Sequence, residues 1–473
     1  MSTRVEMASE KEASRGLEWQ VTVPGGSSVK LESDSVPTAA GWRMHRLASA
    51  LTSKVFDFAS TVRKIAADDP RKVIHCMKVG LALALVSVFY YTRPLYDGVG
   101  GAAMWAVMTV VVVFEFTVGG SLYKGLNRAT ATLSAGSVAF GIHWLAIKSG
   151  RTADHIILGA SVFLLSSAAT FSKFIPTIKA RFDYGVTIFI LTFNLVAVSS
   201  YRVEKLLALA QWRFCTITIG FCICLTVCVV ICPVWAGEEL HRLVMRNMEK
   251  LADSLEESVA EYLEEEGGVD CNQKLGQKSQ GYKCVLNSKS SEDSLANLAR
   301  WEPSHGCFSF QHPWRRYLEV GAAMRQCAYC IESLDSCINS ENQQPPDSVK
   351  KHLAKVYAKV TTESSKVLKE LASSFRSMRK PSSIDYLVGD MKNTADELQN
   401  ALGSLPQEAT SLIVETLPLI TAASLLIEVS VRVEGVVHAV KEITALPCFK
   451  PTNGEELKAQ NKAPVHRCIG LAS

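Results

Sequence analysis

Residues 102–128 read AAMWAVMTVVVVFEFTVGGSLYKGLNR: a near-continuous apolar run, a single carboxylate at Glu115, and two cations, Lys124 and Arg128, at its end. An apolar run of this length can cross about 30 Å of hydrocarbon. An ionised side chain inside such a run is kept where it faces a partner, a cavity or an ion path. The stretch therefore makes this a membrane-spanning helical protein and directs the search for function into the bilayer.

Outward from it, the 473 residues are 48% hydrophobic, but two kinds of sequence are joined. The apolar runs crowd into residues 79–235, whereas the first seventy residues and everything after Gly237 are polar. The fold class that follows is all-α: a six-span transmembrane helical domain (residues 73–235) followed by a cytosolic helical bundle (236–446), with a C-terminal tail at 447–473. The spans are expected at 73–91, 99–118, 126–147, 156–174, 184–200 and 213–235.

Residues 1–41 are rich in Ser, Gly, Lys and Glu without apolar periodicity and read as a disordered tail. No secretory signal pattern is present there, so the first span is expected to act as the targeting signal. Residues 42–72 form an amphipathic helix: Leu47, Leu51, Val55, Phe58, Val62 and Ile65 recur at three- and four-residue steps among Arg43, Arg46, Lys54, Arg63 and Lys64. Such a helix suits either an anionic leaflet or the cytosolic domain. Asp69-Pro70 ends it.

An even number of spans places both termini on one side. Arg63, Lys64, Arg71 and Lys72 before the first span, Lys124 and Arg128 after the second, and Lys173, Lys179 and Arg181 after the fourth make that side cytosolic. The loops on the other side hold Arg93, Lys148, Arg151, Arg202 and Lys205, so the bias is modest.

Cations recur where each odd-numbered span is entered. Lys124 and Lys179 suit headgroup anchors. Lys78 and Arg128 lie deeper, flanked by apolar or small residues, and form with Arg181 and with Arg213 at the other mouth a candidate anion pathway. Trp105 and Met108 define a face of the second span, as core or as a hydrophobic constriction. For Glu115 the plain reading is an ion pair with one of these cations.

The fourteen cysteines are scattered through spans and soluble helices, which argues against a disulfide framework. Cys224, Cys228 and Cys232 share a helical face and read as packing positions; Cys327 and Cys330 form a CxxC without a second pair at zinc spacing. Neither a phosphate loop, an HExxH nor a nucleophile elbow occurs. The sequence points to no enzyme and no cofactor. A formal net charge of only +4 lacks the basic excess of a nucleic-acid binder.

DPRKVIHCMKVGLALALVSVFYY (69–91), RPLYDGVGGAAMWAVMTVVVVFEFTVGGSLYKGLNRATATL (93–133), KARFDYGVTIFILTFNLVAVS (179–199), CPVWAGEELH (232–241) and WEPSHGCFSFQHPWRRYLEVGAAMRQCAY (301–329) resemble the plant aluminium-activated malate transporters, which are anion channels. The resemblance implies a homodimer in membrane lipid, six spans per subunit, a cytosolic helical domain, and an anion pathway for malate and other anions. Onto that pattern Arg128 and Arg213 match the pathway arginines, with Trp105 and Met108 on the pore-lining span. The plasma membrane is favoured over the vacuolar membrane. Asp97 and Glu204 match outward carboxylates of the family's aluminium response, but Ala208 stands where a third would be, so the implied metal site is weak. Trp301-Glu302-Pro303 resembles the family's cytosolic triplet and reads as a structural latch; Pro303 disfavours helix at Glu302.

Two function classes remain open at this point. One is a passive channel for carboxylate anions. The other is a proton-coupled exporter of aromatic or organic acids, for which Glu115 would carry protons. Against the exporter, no expected span has the Gly or Pro interruptions common in alternating-access transporters.

Overall fold

The structure is a computed structural model and describes residues 19–22, 28–31, 39–92, 103–149, 151–200, 206–263, 281–309, 312–338, 347–404 and 413–450. It divides into two compact units, Met1–Ile74 and His75–Ser473.

In the first unit, β1 (Trp19–Thr22) and β2 (Ser28–Leu31) pair antiparallel, with Trp19 opposite Leu31 and Thr22 opposite Ser28. This differs from the structureless tail expected at 1–41. The β-branched Val21, Thr22 and Val29 lie on either side of Pro24-Gly25-Gly26, a hairpin signal that the polar composition obscures. Helix α1 (Ala39–Asp68) follows. Asp69 interrupts it, and its carboxylate accepts the Arg71 N–H at 3.2 Å, capping α2 (Pro70–Tyr91). Pro70 opens α2, where a missing N–H costs nothing.

The second unit continues with α3 (Ala103–Val113), α4 (Val118–Lys148), α5 (Arg151–Ser172), α6 (Pro176–Ser200) and α7 (Leu206–Val230). Five helices, α2 and α4 to α7, are long and apolar enough to cross a membrane. The second expected span, 99–118, is different. Its described helix is only 11 residues long, ~16 Å of rise, and residues 114–117 are not helical. The break is capped: the Thr117 hydroxyl accepts the Gly120 N–H at 3.1 Å and starts α4, eight residues before the expected third span.

Apolar faces close these helices into two clusters. Ala82 and Val86 of α2, Val110 and Val113 of α3, and Cys224 and Cys228 of α7 form one. Small residues let the helices approach: Gly220 of α7 lies so close to α3 that an added Cβ would stand 2.8 Å from the Ala106 carbonyl. Ala135 and Ala139 of α4 with Phe193, Val196 and Ala197 of α6 form the other.

The C-terminal domain holds α8 (Ala236–Leu263), α9 (Gly281–Leu286), α10 (Lys289–Ala299), α11 (Trp314–Ile338), α12 (Asp347–Ser377), α13 (Ile384–Gly403) and α14 (Ile413–Thr444) around one continuous core. The stripe Leu240, Met248, Leu251 and Leu255 of α8 is fully buried, as its spacing requires. Each such residue contributes about 1.5–3 kcal/mol by leaving water. The sequence of residues 267–290 is polar except at Tyr282, Val285 and Leu286, which suit docking; α9 buries Tyr282 and Val285, and the Tyr282 hydroxyl donates to Asp335 at 2.9 Å.

Candidate functional site

Each of the sequence-derived site residues among those described has an identifiable environment, and the environments differ. Arg128 lies about three turns into α4 and is 6% exposed. Its one hydrogen bond runs from a terminal nitrogen to the Tyr184 hydroxyl of α6 at 3.5 Å. Its buried Nε has no partner, and one turn further along α4 the buried hydroxyl of Thr132 has none either. A guanidinium carries five N–H donors, and leaving a buried charge uncompensated costs several kcal/mol. No carboxylate pairs with Arg128 among the described residues.

Thr132 leads into a cavity of about 500 Å³ between α4, α6 and α7, lined also by Gly136, Phe140, Thr192 and Arg213. Arg213 is half-buried, and its guanidinium stacks 4.6 Å from the centre of the Trp105 ring of α3. That contact holds a cation by a ring face and leaves its N–H fork free of carboxylates. Thr132 and Arg213 thus line the cavity, Trp105 stacks on Arg213, and Arg128 lies one turn from Thr132 along α4. Met108 faces outward from α3 and is 52% exposed, alongside Met104 and Val111.

The other cations are used differently. Lys78 is buried, and its ammonium donates to the Cys232 carbonyl at 2.7 Å, where the chain leaves α7 with Cys232 in the left-handed region at φ 40°. Lys124 pairs with Glu115 and lies 5.9 Å from the Tyr184 ring centre. Glu115 sits in the break between α3 and α4, partly exposed, not in mid-span. Arg181 is exposed near the start of α6. Asp97 and Glu204 lie outside the described residues, and of Ala208 only the helical backbone at the start of α7 is described.

Where the membrane-type helices meet the C-terminal domain, Glu302 occupies a site whose hydrogen-bond donors are backbone N–H groups. Its Oε1 accepts the Gly119 N–H at 3.0 Å and the Ala236 N–H at 2.6 Å; its Oε2 accepts the Gly237 N–H at 3.1 Å. One carboxylate thus caps the first turns of both α4 and α8, whose positive dipole ends converge on it. The Val118 N–H beside it reaches the Val234 carbonyl at 2.9 Å, and the Glu239 N–H reaches the Trp235 carbonyl at 3.0 Å. Glycine is required for this approach. A Cβ on Gly119 would lie 2.5 Å from the Leu298 carbonyl, and one on Gly237 would lie 2.4 Å from the Trp314 ring. Burial pushes the Glu302 carboxyl up, while the backbone donors and nearby His305 pull it down.

The residues around Glu302 fasten the same junction. Trp301 meets Tyr123 of α4 edge to face at 5.6 Å, and His305, stacked on Trp235 at 4.0 Å, bonds through Nδ1 to the Pro303 carbonyl at 2.9 Å. The Asn297 amide of α10 donates to the Ala180 carbonyl of α6 at 2.9 Å. Sequence reasoning missed Tyr184 and Thr132. Tyr184 stands in the quoted KARFDYG beside the cations, and Thr132 is one turn from Arg128, so a helical projection would have found both.

The model of the family described as aluminium activated malate transporter matches residues 63–412. The chain is similar to Aluminum-activated malate transporter 10 of Arabidopsis thaliana, 47% identical over 472 residues, spanning 92% of this chain and 95% of that one. It is similar also to Aluminum-activated malate transporter 2 of Arabidopsis thaliana, at 46% identity over 84% of this chain and 79% of the relative. Against Aluminum-activated malate transporter 1 of Triticum aestivum the identity is 44% over 91% and 94% of the two chains.

Proposed function

The chain belongs to the aluminium-activated malate transporter family, integral membrane proteins of transport and not enzymes, and from that premise we propose that it is a channel passing malate and other anions. The observation that carries this reading is the buried, carboxylate-free guanidinium of Arg128. A permanently charged group with open donors suits a small anion in transit. Thr132, Arg213 and Trp105 extend its track into the cavity. We assign Lys78 to the anchoring of the Cys232 turn, Arg181 to the cytosolic approach, and Met108 to the contact between two subunits.

The pathway forms between two copies in six-span subunits, because one copy supplies few cations and leaves Met104, Met108 and Val111 of α3 uncovered. Both termini are cytosolic, in the plasma membrane rather than the vacuolar one. Aluminium binding by Asp97 and Glu204 is weak, since Arg202 and Lys205 put positive charge beside it. A proton-coupled exporter would rest on Glu115, which is engaged by Lys124 at a partly exposed break.

The test is current recorded in malate and chloride gradients. Reversal potentials should follow the anions, and Arg128→Ala should remove most current at intact surface expression. Unchanged conductance and anion preference in that variant would sink the pathway role. Two-step bleaching of labelled particles is expected for the dimer; single-step bleaching excludes it.

A further inference from the structure

We propose that α1 lies in the plane of a membrane leaflet and docks there on anionic lipid. On this helix Val55, Phe58, Val62 and Ile65 are 63%, 70%, 47% and 47% exposed. They share one face by their three- and four-residue spacing, and Leu47 and Leu51 continue the spacing towards the start of the helix. Lys54 and, two heptads on, Asp68 border this face on one side; Asp57 and Arg63 stand further round on its two flanks, and Arg46, Phe56 and Lys64 fall opposite it. One apolar face on a helix of net positive charge suits an interfacial helix whose long basic side chains reach the headgroups. The charge agrees: α1 carries five cations, Arg43, Arg46, Lys54, Arg63 and Lys64, against two carboxylates, Asp57 and Asp68.

Chain continuity places lipid within reach, since Asp69 alone separates α1 from Pro70, where the first candidate span begins. A second copy is the competing occupant, because Leu51, Val55, Phe58, Val62 and Ile65 would also serve as a heptad seam. In that register a parallel two-helix contact sets Lys54 and Thr61 against Ala59 and Ala66, so no opposite charges would pair across it.

The experiment uses the full chain in nanodiscs of phosphatidylcholine, with or without phosphatidylserine, carrying brominated acyl chains. An environment-sensitive fluorescent amino acid replaces Phe58 or, in a second preparation, Asp57. Bromine should quench the probe at position 58 about twofold or more over position 57, and more strongly in the anionic discs. The paired substitution Lys54→Glu with Arg63→Glu should abolish the anionic enhancement while gel filtration shows an unchanged elution. Equal quenching at the two positions, whether the probe reports water or a protein contact, overturns the docking. Equal quenching in the two lipid mixtures overturns its dependence on anionic headgroups.

Discussion

Glu302 and Arg128 are both almost fully buried, at 4% and 6% exposure, yet the chain treats the two charges in opposite ways. The carboxylate is met by three backbone N–H groups drawn from the starts of α4 and α8. The guanidinium has one long bond to a phenol and a buried Nε with no partner. A satisfied buried charge joins pieces of structure. An unsatisfied one is a cost the fold carries for another purpose, which the function proposed above takes to be the passage of an anion.

The largest effect that could break this contrast is expected at Glu302. Glu302→Ala would leave three N–H groups at two helix ends without an acceptor and should cost about 3–5 kcal/mol, read as loss of folded protein in thermal unfolding. Glu302→Gln keeps an oxygen for Gly119 and Ala236 but turns an amide donor towards Gly237, so about 1–3 kcal/mol is expected. If the two variants are equally stable, the shared cap is not what holds the junction. Next in size is Arg128→Met, which should cut current about tenfold or more, equivalent to about 1.4 kcal/mol or more, with a thermal midpoint unchanged or raised. A fall in both current and stability would mean that Arg128 is structural like Glu302.

Lys78 sharpens the contrast because it is a buried cation on the structural side. Lys78→Met removes the donor to the Cys232 carbonyl and should cost about 1–2 kcal/mol of stability. Anion preference, measured from reversal potentials, should not move. A shifted preference would return Lys78 to the pathway.

The sequence made some of this legible and hid the rest for a physical reason. Helix order followed from apolar runs long enough to cross a membrane, and Arg128 stood out as a cation among small and apolar neighbours. Lys78 looked the same, because the carbonyl that holds it is 154 residues away. The partners of Glu302 are 183, 66 and 65 residues distant, so a Trp-Glu-Pro triplet signals a turn and nothing of the two helix ends it joins. The break at 114–117 carries neither Gly nor Pro and sits in a hydrophobic run; only Thr117 before Gly119-Gly120 marks a cap.

The smallest effect is expected at Glu115, the charge that decides between channel and exporter. Its side chain is 38% exposed and that of its partner Lys124 is 30%, so water screens the pair and competes for both groups. Such pairs contribute about 0–1 kcal/mol, and Glu115→Gln should shift the thermal midpoint little. The Glu115 N–H donates to the Ser121 hydroxyl at 3.0 Å, and Thr117 caps α4 without the carboxylate, so the break itself should survive. In a channel, anion flux down a fixed malate gradient would then be the same for both proteins with or without an opposing proton gradient. In an exporter, protonation of Glu115 is part of the cycle, and the Gln variant would lose the uphill transport that a proton gradient drives. Proteoliposome flux under the two gradients separates the outcomes: proton-driven accumulation that disappears in Glu115→Gln would replace the channel reading, and would make Glu115 a third kind of charge, held by a partner yet released during each cycle.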